Sequence, residues 1–496
     1  MMKQRWATML AAFFLMSFFS AQVLSQEHHY WTNQFGSRAA LMSGAIVGGV
    51  RDTSASFYNP GALGFLKAST FSASGNGYQL ESVDISNAAG TGIDVDSSGT
   101  NIIPLLISGT FALGNNTFGY SLLAKNQSSI KLSGRHEESA FSGLDSNPNF
   151  AFNPSTGEPI SRGLFDGPET YRGQFTYDSE VSEFWAGLSW AHQVRDNISV
   201  GISGFLALRD QSFNVVQFGR MTNINSEFIA SEDLFLNMDF YNVRGLLKFG
   251  AAADFDALKI GATLTTPSVS LYGKGTVAGG EGQFKEDDTI GYLADDRQED
   301  LDAEYKTPLS LALGLEYAIT QKTRVAGTIE WFAEQKRYDV ITPDSKNFLV
   351  SGGDGFIDSQ EVLKVEDKAD SVVNYAIAVE HAFSNKIKGY LGFRTDFSTF
   401  PGYDDEEASY DKMGINNWDI YHMTVGIARQ GKSSELALGF TYSFGSQDNF
   451  EQLAEINPAD RSGDDYILAI NSEGEGKASA DYQALALIIG YTYYFK

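Results

Sequence analysis

The 496-residue chain contains no cysteine, which excludes disulfide bonds, thiolate metal sites and cysteine nucleophiles. Basic residues are also scarce, because 36 lysines and arginines stand against 62 acidic residues and the formal net charge is −26. A nucleic-acid-binding surface needs a basic patch, so this charge balance argues against that class of partner. The mean hydropathy is only −0.20. Beyond the N-terminus, no stretch reaches the ~20 apolar residues that a membrane-spanning helix needs.

The N-terminus carries a segment typical of protein export. Lys3 and Arg5 precede an apolar run over residues 7–19, in the order of a secretory signal. This run is shorter than the ~20 residues of a spanning helix. We therefore predict that residues 1–25 are a cleaved signal peptide and that the mature chain begins at Gln26.

Most of the remaining chain alternates between apolar and small or polar residues with a period of two. The clearest examples are residues 198–209, 309–317 and 434–444. Lipid-facing strands of a membrane barrel show this pattern over about ten residues, with the apolar side chains facing outward. The alternation predicts about fourteen strands, near 68–80, 101–113, 116–132, 168–192, 196–218, 233–256, 258–272, 303–319, 322–341, 366–384, 386–400, 417–430, 434–446 and 478–496.

The predicted connections alternate between short and long. Two-residue turns are expected at 114–115, 195–196, 256–257, 320–321, 385–386 and 431–432. Long polar insertions are expected at 81–100, 133–167, 219–232, 273–302, 342–365, 401–416 and 447–477. Short periplasmic turns and long extracellular loops are typical of outer-membrane barrels, and closure removes exposed sheet edges. The fold class predicted is therefore an all-β, transmembrane antiparallel β-barrel of about 14 strands.

Residues 35–66, before the first predicted strand, read FGSRAALMSGAIVGGVRDTSASFYNPGALGFL and show no alternation. This segment resembles the N-terminal hatch of the outer-membrane hydrophobic-compound transporters, the family of the long-chain fatty acid and toluene channels. The matching residues are Gly36, Arg38, Ala39, Gly44, Ala45, Asp52, Ser54, Ala55, Asn59 and Pro60. Gly61 departs from the motif, which usually has alanine there. The resemblance implies a hatch over residues 26–67 inside a barrel formed by residues 68–496.

The same resemblance implies a function. It indicates passive uptake of long-chain fatty acids or other small hydrophobic compounds through the outer membrane of a Gram-negative bacterium, by a monomer with no cofactor and no covalent chemistry. Its partners would be hydrophobic small molecules and the surrounding outer-membrane lipid and lipopolysaccharide. In this family the ligand is held near the hatch and leaves sideways beside a kinked third strand. Here the third predicted strand loses its alternation at residues 125–129. That break marks either the kink or the point where the strand leaves the membrane.

The parity of each strand also predicts which side chains face the lumen. The inward ionisable residues are Glu183, Arg209, Arg244, Lys248, Glu316, Arg324, Glu330, Glu380, Arg394 and Asp396. Most of them are expected to form structural ion pairs. A carboxylate-bearing lipid would need an apolar patch beside one cation, and the sequence does not choose among the four arginines. The candidate ligand-binding and gating residues are Phe35, Arg38, Asn59, Pro60, Leu123, Phe205, Arg209, Arg244, Arg324, Phe332, Tyr390 and Arg394. Asn59 and Pro60 are expected to form a tight turn that sets the hatch position.

An alternative function is a barrel adaptor of a protein-secretion system, which would bind protein partners through loops 273–302 and 447–477. A generic porin is disfavoured, because an open aqueous pore has no use for a hatch.

Residues 353–361 imitate the second half of a calcium-binding EF-hand loop, but the first ligand positions lack carboxylates, so no metal site is predicted. His422 and Ser443 are expected on neighbouring strands with no catalytic motif, and no enzymatic activity is predicted.

Overall fold

A computed structural model describes residues 28–141, 169–222, 228–285, 292–351, 355–401, 417–457 and 476–495. Most of these residues belong to one antiparallel sheet that closes into a barrel of 14 strands. Closure occurs because the first strand pairs with both the second and the last strand, for example through Thr70 and Tyr494. Among the described residues, no helix is both long enough and apolar enough to cross a bilayer. The predicted signal peptide lies outside the described residues.

The strands are β1 (Thr70–Ser86), β2 (Val95–Leu113), β3 (Asn116–Phe141), β4 (Glu169–Arg195), β5 (Ile198–Thr222), β6 (Phe228–Phe255), β7 (Leu258–Thr265), β8 (Val269–Lys285), β9 (Tyr292–Asp302), β10 (Ser310–Ala318), β11 (Thr323–Phe332), β12 (Gln335–Ile341), β13 (Leu349–Ser351), β14 (Val365–Ala369), β15 (Val372–Ala382), β16 (Ile387–Asp396), β17 (Ile420–Gln430), β18 (Ser434–Glu451) and β19 (Lys477–Tyr494). Strands β7 and β8 are two parts of the seventh barrel strand, and β9 and β10 are two parts of the eighth. The all-β barrel predicted from the alternation is confirmed.

The outer surface of the barrel is apolar. In β10, the outward side chains of Leu311, Leu313 and Leu315 are 41–50% exposed, whereas the residues between them are buried. Aromatic rings lie side by side near the long-loop end, where Phe393 stacks on Tyr421 and Tyr421 stacks on Phe444. An apolar band with an aromatic row at its border is the surface that a bilayer requires of a barrel.

Several strands extend beyond their predicted ends, so three of the predicted long insertions are wrong. Residues 81–100, 219–232 and 273–302 were expected to be polar loops. In the structure β1 and β2 leave only 87–94 between them, and β8 and β9 occupy most of 273–302. The physical reason is that these strand ends project beyond the lipid layer. Outward positions are polar there, which removes the alternation that marks a strand in the membrane.

Residues 28–66, here called the insert, lie inside the barrel. The insert contains helix α1 (Ser37–Leu41), helix α2 (Ala55–Tyr58) and the 3₁₀ helix η1 (Pro60–Phe65). Its small residues allow its backbone to touch the backbone of the wall. A Cβ atom added to Gly61 would lie 2.7 Å from the carbonyl oxygen of Gly250. The tight turn predicted at Asn59-Pro60-Gly61 is present and forms the first turn of η1, in which the Ala62 N–H donates to the Asn59 carbonyl at 2.9 Å. Pro60 suits this first position, because it has no N–H to leave unpaired.

The opposite end of the lumen is filled by residues 335–369, here called the outer cap. It comprises β12, β13, helix α3 (Ser359–Val362) and β14. Strands β12 and β14 form a two-stranded sheet apart from the barrel sheet. Phe348 and Val362 of the cap are buried in one apolar cluster with Phe240 and Val277 of the wall. The long-loop end of the barrel is thus closed by packed apolar side chains.

Candidate functional site: the cavity between the insert and the wall

A cavity lies between the insert and the barrel wall, about midway along the lumen. Its volume is about 60 Å³, measured as the space open to the centre of a water molecule. A single water needs roughly 10–15 Å³ on this measure, so the cavity has room for several waters. Its lining is mostly apolar and comes from the insert and from β3, β4, β6, β7, β10 and β11. The lining includes Tyr30, Trp31, Phe35, Val47, Phe57, Tyr58, Lys125, Trp185, Lys248, Thr265, Thr307, Pro308, Ser310, Thr328, Glu330 and Phe332.

Aromatic rings form the apolar side of the cavity. Phe57 lies at the centre, with ring centroids 4.7 Å from Phe35 and 5.9 Å from Trp185. Tyr30 stacks on Phe332 at 4.5 Å. Leu123 and Phe205 belong to the same buried cluster as Phe35. Four of the candidate residues predicted from the sequence therefore lie in or directly behind this cavity: Phe35, Leu123, Phe205 and Phe332.

The N-terminal end of the insert is fixed by hydrogen bonds to inward side chains of the wall. Asp396 accepts from the Trp31 backbone N–H at 2.9 Å and from the Thr32 hydroxyl at 3.0 Å. Arg394 donates to the carbonyls of Trp31 at 3.1 Å and of Thr32 at 2.7 Å. The Trp31 indole N–H donates to Glu330 at 2.8 Å. Arg394, a candidate cation for a ligand, is thus occupied by the insert backbone.

Helix α1 of the insert carries Arg38, which joins two glutamates of the wall. Its guanidinium bonds Glu316 at 2.6 Å and Glu380 at 2.9 Å, and all three side chains are largely buried. Glu316 also pairs with Arg324 at 2.9 Å. Tyr390 lies opposite Glu380 on the next strand. Arg38, Arg324 and Tyr390 therefore belong to one ion-pair network beneath the insert and do not line the cavity.

Asn59 fastens the middle of the insert. Its amide donates to the carbonyls of Val47 and Ala251 at 3.0 Å each, and its side-chain oxygen accepts from the Gly61 N–H at 3.1 Å. Asn59 is fully buried. One amide thus links two parts of the insert to the wall strand β6. Pro60 follows at the point where the insert backbone meets Gly201 of β5.

Arg209 and Arg244 form a separate cluster on the cap side of the cavity. Both pair with Glu183, at 2.9 Å and 2.6 Å, and all three side chains are almost completely buried. Both guanidiniums also lie over the ring of Tyr305, at 4.1 Å and 4.7 Å. These arginines are placed between the cavity and the outer cap, and neither lines the cavity.

The wall has a discontinuity beside the cavity. In the described part of both strands, the ladder between β2 and β3 ends at the Leu106–Leu123 pair. Beyond it the described ladders join β2 to β1 and β3 to β4. The Lys131 N–H of β3 donates to the Ser97 hydroxyl of β2 at 3.2 Å further along, so the unpaired stretch is bounded at both ends. The register of β3 against β4 shifts at Lys125, which is the extra residue of a bulge. The sequence left open a kink or a strand leaving the membrane at 125–129. The structure shows both a bulge at this position and a strand that continues to Phe141.

The sequence did not single out the polar cavity residues that now stand out, Lys248 and Thr265. Lys248 was assigned to the lumen by parity, but nothing in its local sequence distinguished it from the paired lumen residues. Trp185 was missed because Phe184 beside it is also aromatic, so alternation did not show which ring faces inward.

His422 and Ser443 do meet, with Nδ1 2.6 Å from Oγ. No carboxylate among the described residues bonds His422, so this pair lacks the orienting acid of a catalytic triad. Of the EF-hand-like residues, Asp358 caps helix α3, whereas residues 352–354 lie outside the described residues.

The closed barrel, its apolar outer band and its filled lumen define a transmembrane β-barrel of the outer-membrane type. No protein-family model matches the sequence, and no curated protein matches it. Solved structures do share the fold. The Pseudomonas putida toluene transporter TodX aligns over 93% of this chain and 99% of its own, with a TM-score of 0.55 and 13% identity. The Ralstonia pickettii toluene transporter TbuX aligns over 93% of this chain and 99% of its own, with a TM-score of 0.53 and 13% identity. A Pseudomonas aeruginosa FadL homologue aligns over 94% of this chain and 100% of its own, with a TM-score of 0.54 and 12% identity. At these identities the likeness is one of fold.

Proposed function

We propose that this protein is an outer-membrane channel for the passive uptake of long-chain fatty acids or other small hydrophobic compounds. The insert acts as its hatch, the ligand is held in the cavity beside the insert, and release is lateral. The observation that carries this proposal is the aromatic-lined cavity between insert and wall. An enclosed, mostly apolar cavity with a few polar groups is the usual form of a small-molecule site. The toluene transporters and the FadL homologue that share the fold support the same class of cargo.

Lateral release is supported by the position of the unpaired stretch between β2 and β3. Leu106 and Leu123 form the last pair of the ladder and also belong to the apolar cluster that backs the cavity. Lys125 of the bulge donates to the Tyr30 carbonyl at 2.8 Å and lies over the Phe35 ring. The bulge therefore touches the insert where the insert lines the cavity. A ligand that moved the insert would find an apolar path toward the lipid beside the bulge.

Uptake in proteoliposomes without an energy source tests the proposal. The variant lacks residues 28–35, which line the cavity and carry the bonds to Asp396 and Glu330. We expect it to lose saturable uptake of hydrophobic compounds while remaining a folded barrel, as shown by heat-dependent migration in gels. Unchanged uptake would contradict a role for the cavity.

A second variant tests lateral release. The double substitution Leu106→Cys, Leu123→Cys introduces a disulfide in a chain that has no other cysteine. We expect oxidation to slow uptake, because the disulfide holds β2 and β3 together at the end of their ladder and the opening beside it can no longer widen. Reduction should restore uptake. Equal rates in both redox states would argue against exit beside β3.

A further inference from the structure

Among the described residues, two buried polar side chains face the cavity without a hydrogen-bond partner. Lys248 of β6 is 6% exposed and Thr265 of β7 is 4% exposed. They are direct cross-strand partners, so their side chains lie next to each other on the same face. Within the described part of the chain, no hydrogen bond or ion pair reaches the Lys248 ammonium, and the Thr265 hydroxyl has no hydrogen-bond partner. Buried polar groups are normally satisfied, and leaving one unpaired costs free energy.

The other charged groups of the cavity are already engaged. The Lys125 ammonium donates to the Tyr30 carbonyl. The Glu330 carboxylate accepts from Trp31 at 2.8 Å and from the Ser310 hydroxyl at 2.7 Å. Lys248 has only the ring of Phe57, whose centroid is 3.9 Å from its Nζ. This contact holds the ammonium at the cavity without giving it an acceptor.

The size and lining of the cavity restrict the non-polar part of a ligand. A volume of about 60 Å³ on the water-centre measure corresponds to roughly four to six waters. At about 30 Å³ per water in the liquid, four to six waters occupy roughly 120–180 Å³, which is close to the space of one six-membered ring with a small substituent. Phe57, Trp185 and Phe332 supply flat surfaces for such a ring. An extended chain of many methylene groups does not fit this space.

We propose that the cavity selects compact carboxylic acids built on a single ring. The carboxylate accepts one hydrogen bond from the Lys248 ammonium and one from the Thr265 hydroxyl, and the ring lies among the aromatic side chains. This inference rests on the proposed function, because it names the ligand class of the same cavity. It assigns the choice of headgroup to Lys248, not to the buried arginines, all of which have protein partners.

A matched ligand pair tests the proposal. 4-Methylbenzoate and p-xylene share a para-substituted ring and differ by a carboxylate in place of a methyl group. Trp31 and Trp185 line the cavity, so quenching of tryptophan fluorescence in lipid nanodiscs reports binding, with protein-free nanodiscs as the blank. The wild type is expected to bind 4-methylbenzoate about tenfold to hundredfold more tightly than p-xylene, the range for a hydrogen bond to a charged group.

The variants Lys248→Met and Thr265→Val remove the two donors at nearly constant side-chain size. Lys248→Met should abolish the preference for the acid while p-xylene still binds, which shows that the cavity is intact. Thr265→Val should reduce the preference about tenfold, the low end for a hydrogen bond to a charged group. The control is Lys259→Met, which removes a largely buried lysine that does not line the cavity and whose ammonium pairs with Glu316 at 3.5 Å. This variant should keep the preference.

The outcomes separate this inference from the proposed function. Equal affinity of the wild type for both ligands, or loss of the preference in Lys259→Met as large as in Lys248→Met, would overturn the inference and leave the channel function standing. Tighter, Lys248-dependent binding of hexadecanoate would overturn the size restriction. Absence of binding of every ligand to the wild type would overturn the cavity as a ligand site, and with it the proposed function.

Discussion

The substitution Arg38→Met is expected to release one end of the insert from the barrel. Arg38 makes two charge-assisted hydrogen bonds, to Glu316 at 2.6 Å and to Glu380 at 2.9 Å, and a third bond to the Gly49 carbonyl at 2.9 Å. The side chains of both glutamates are nearly inaccessible, 2% and 7% exposed. Water therefore cannot replace the lost guanidinium without rearrangement of the insert.

The size of the effect follows from the partners that remain. Hydrogen bonds to charged groups contribute about 1.5–3 kcal/mol each. Glu316 keeps Arg324 at 2.9 Å, and Glu380 keeps Lys388 at 3.3 Å. Neither carboxylate is left unpaired, so we take the low end for the two bonds, about 3 kcal/mol in total. Since 1.4 kcal/mol is a factor of ten, the population with a displaced insert should rise about a hundredfold.

Single-channel recording in planar bilayers measures this population as the frequency of ion-conducting openings. Arg51→Met is the matched control, because Arg51 also joins the insert to the wall, through Asp254 at 2.7 Å. That pair is 22% and 28% exposed, so its loss should change stability by only about 0–1 kcal/mol. If Arg38→Met opened no more often than Arg51→Met, the assignment of Arg38 as the main fastening of the insert would be wrong. Heat-dependent gel migration confirms that each variant has folded.

Three further predictions concern the insert and the outer cap. Gly61→Ala should increase openings, because its Cβ would lie 2.7 Å from a wall carbonyl; Gly327→Ala, with 3.7 Å to its nearest atom, should not. The pair Thr53→Cys, Ser108→Cys replaces hydroxyls 2.5 Å apart, and oxidation should stop uptake until reduction restores it; persistent uptake would show that the insert need not move. Burial raises the pKa of Asp367 in the outer cap from 3.8 to about 6. The protonated Asp367 carboxyl therefore stabilises the cap fully below pH 3.8. This stabilisation, about 3 kcal/mol for two pKa units, is lost as the pH rises through 6. Asp367→Asn should slow hydrogen exchange of the cap at pH 8 but not at pH 4, and equal protection at pH 8 would contradict this.

The sequence by itself determined the barrel. Alternation over 309–317 or 434–444 places successive side chains on opposite faces of a strand. The short turns that recur between strands, each followed by a longer connection, then indicate a membrane barrel. The same parity placed Arg209, Lys248 and Arg394 inside. It failed where strands leave the membrane, as at 273–302, because outward residues there no longer need to be apolar.

Only the tertiary structure decided what each inward residue does. Lys248 and Arg394 have the same parity and charge. Arg394 is bonded to the insert backbone, whereas Lys248 faces an apolar cavity with no hydrogen-bond acceptor among the described residues. Arg38 and Glu316 are 278 positions apart in the chain. A local pattern reports only the face on which a residue lies. Its partners depend on how the closed barrel brings distant strands and the insert together, and that distance in sequence is why the site emerged only from the fold.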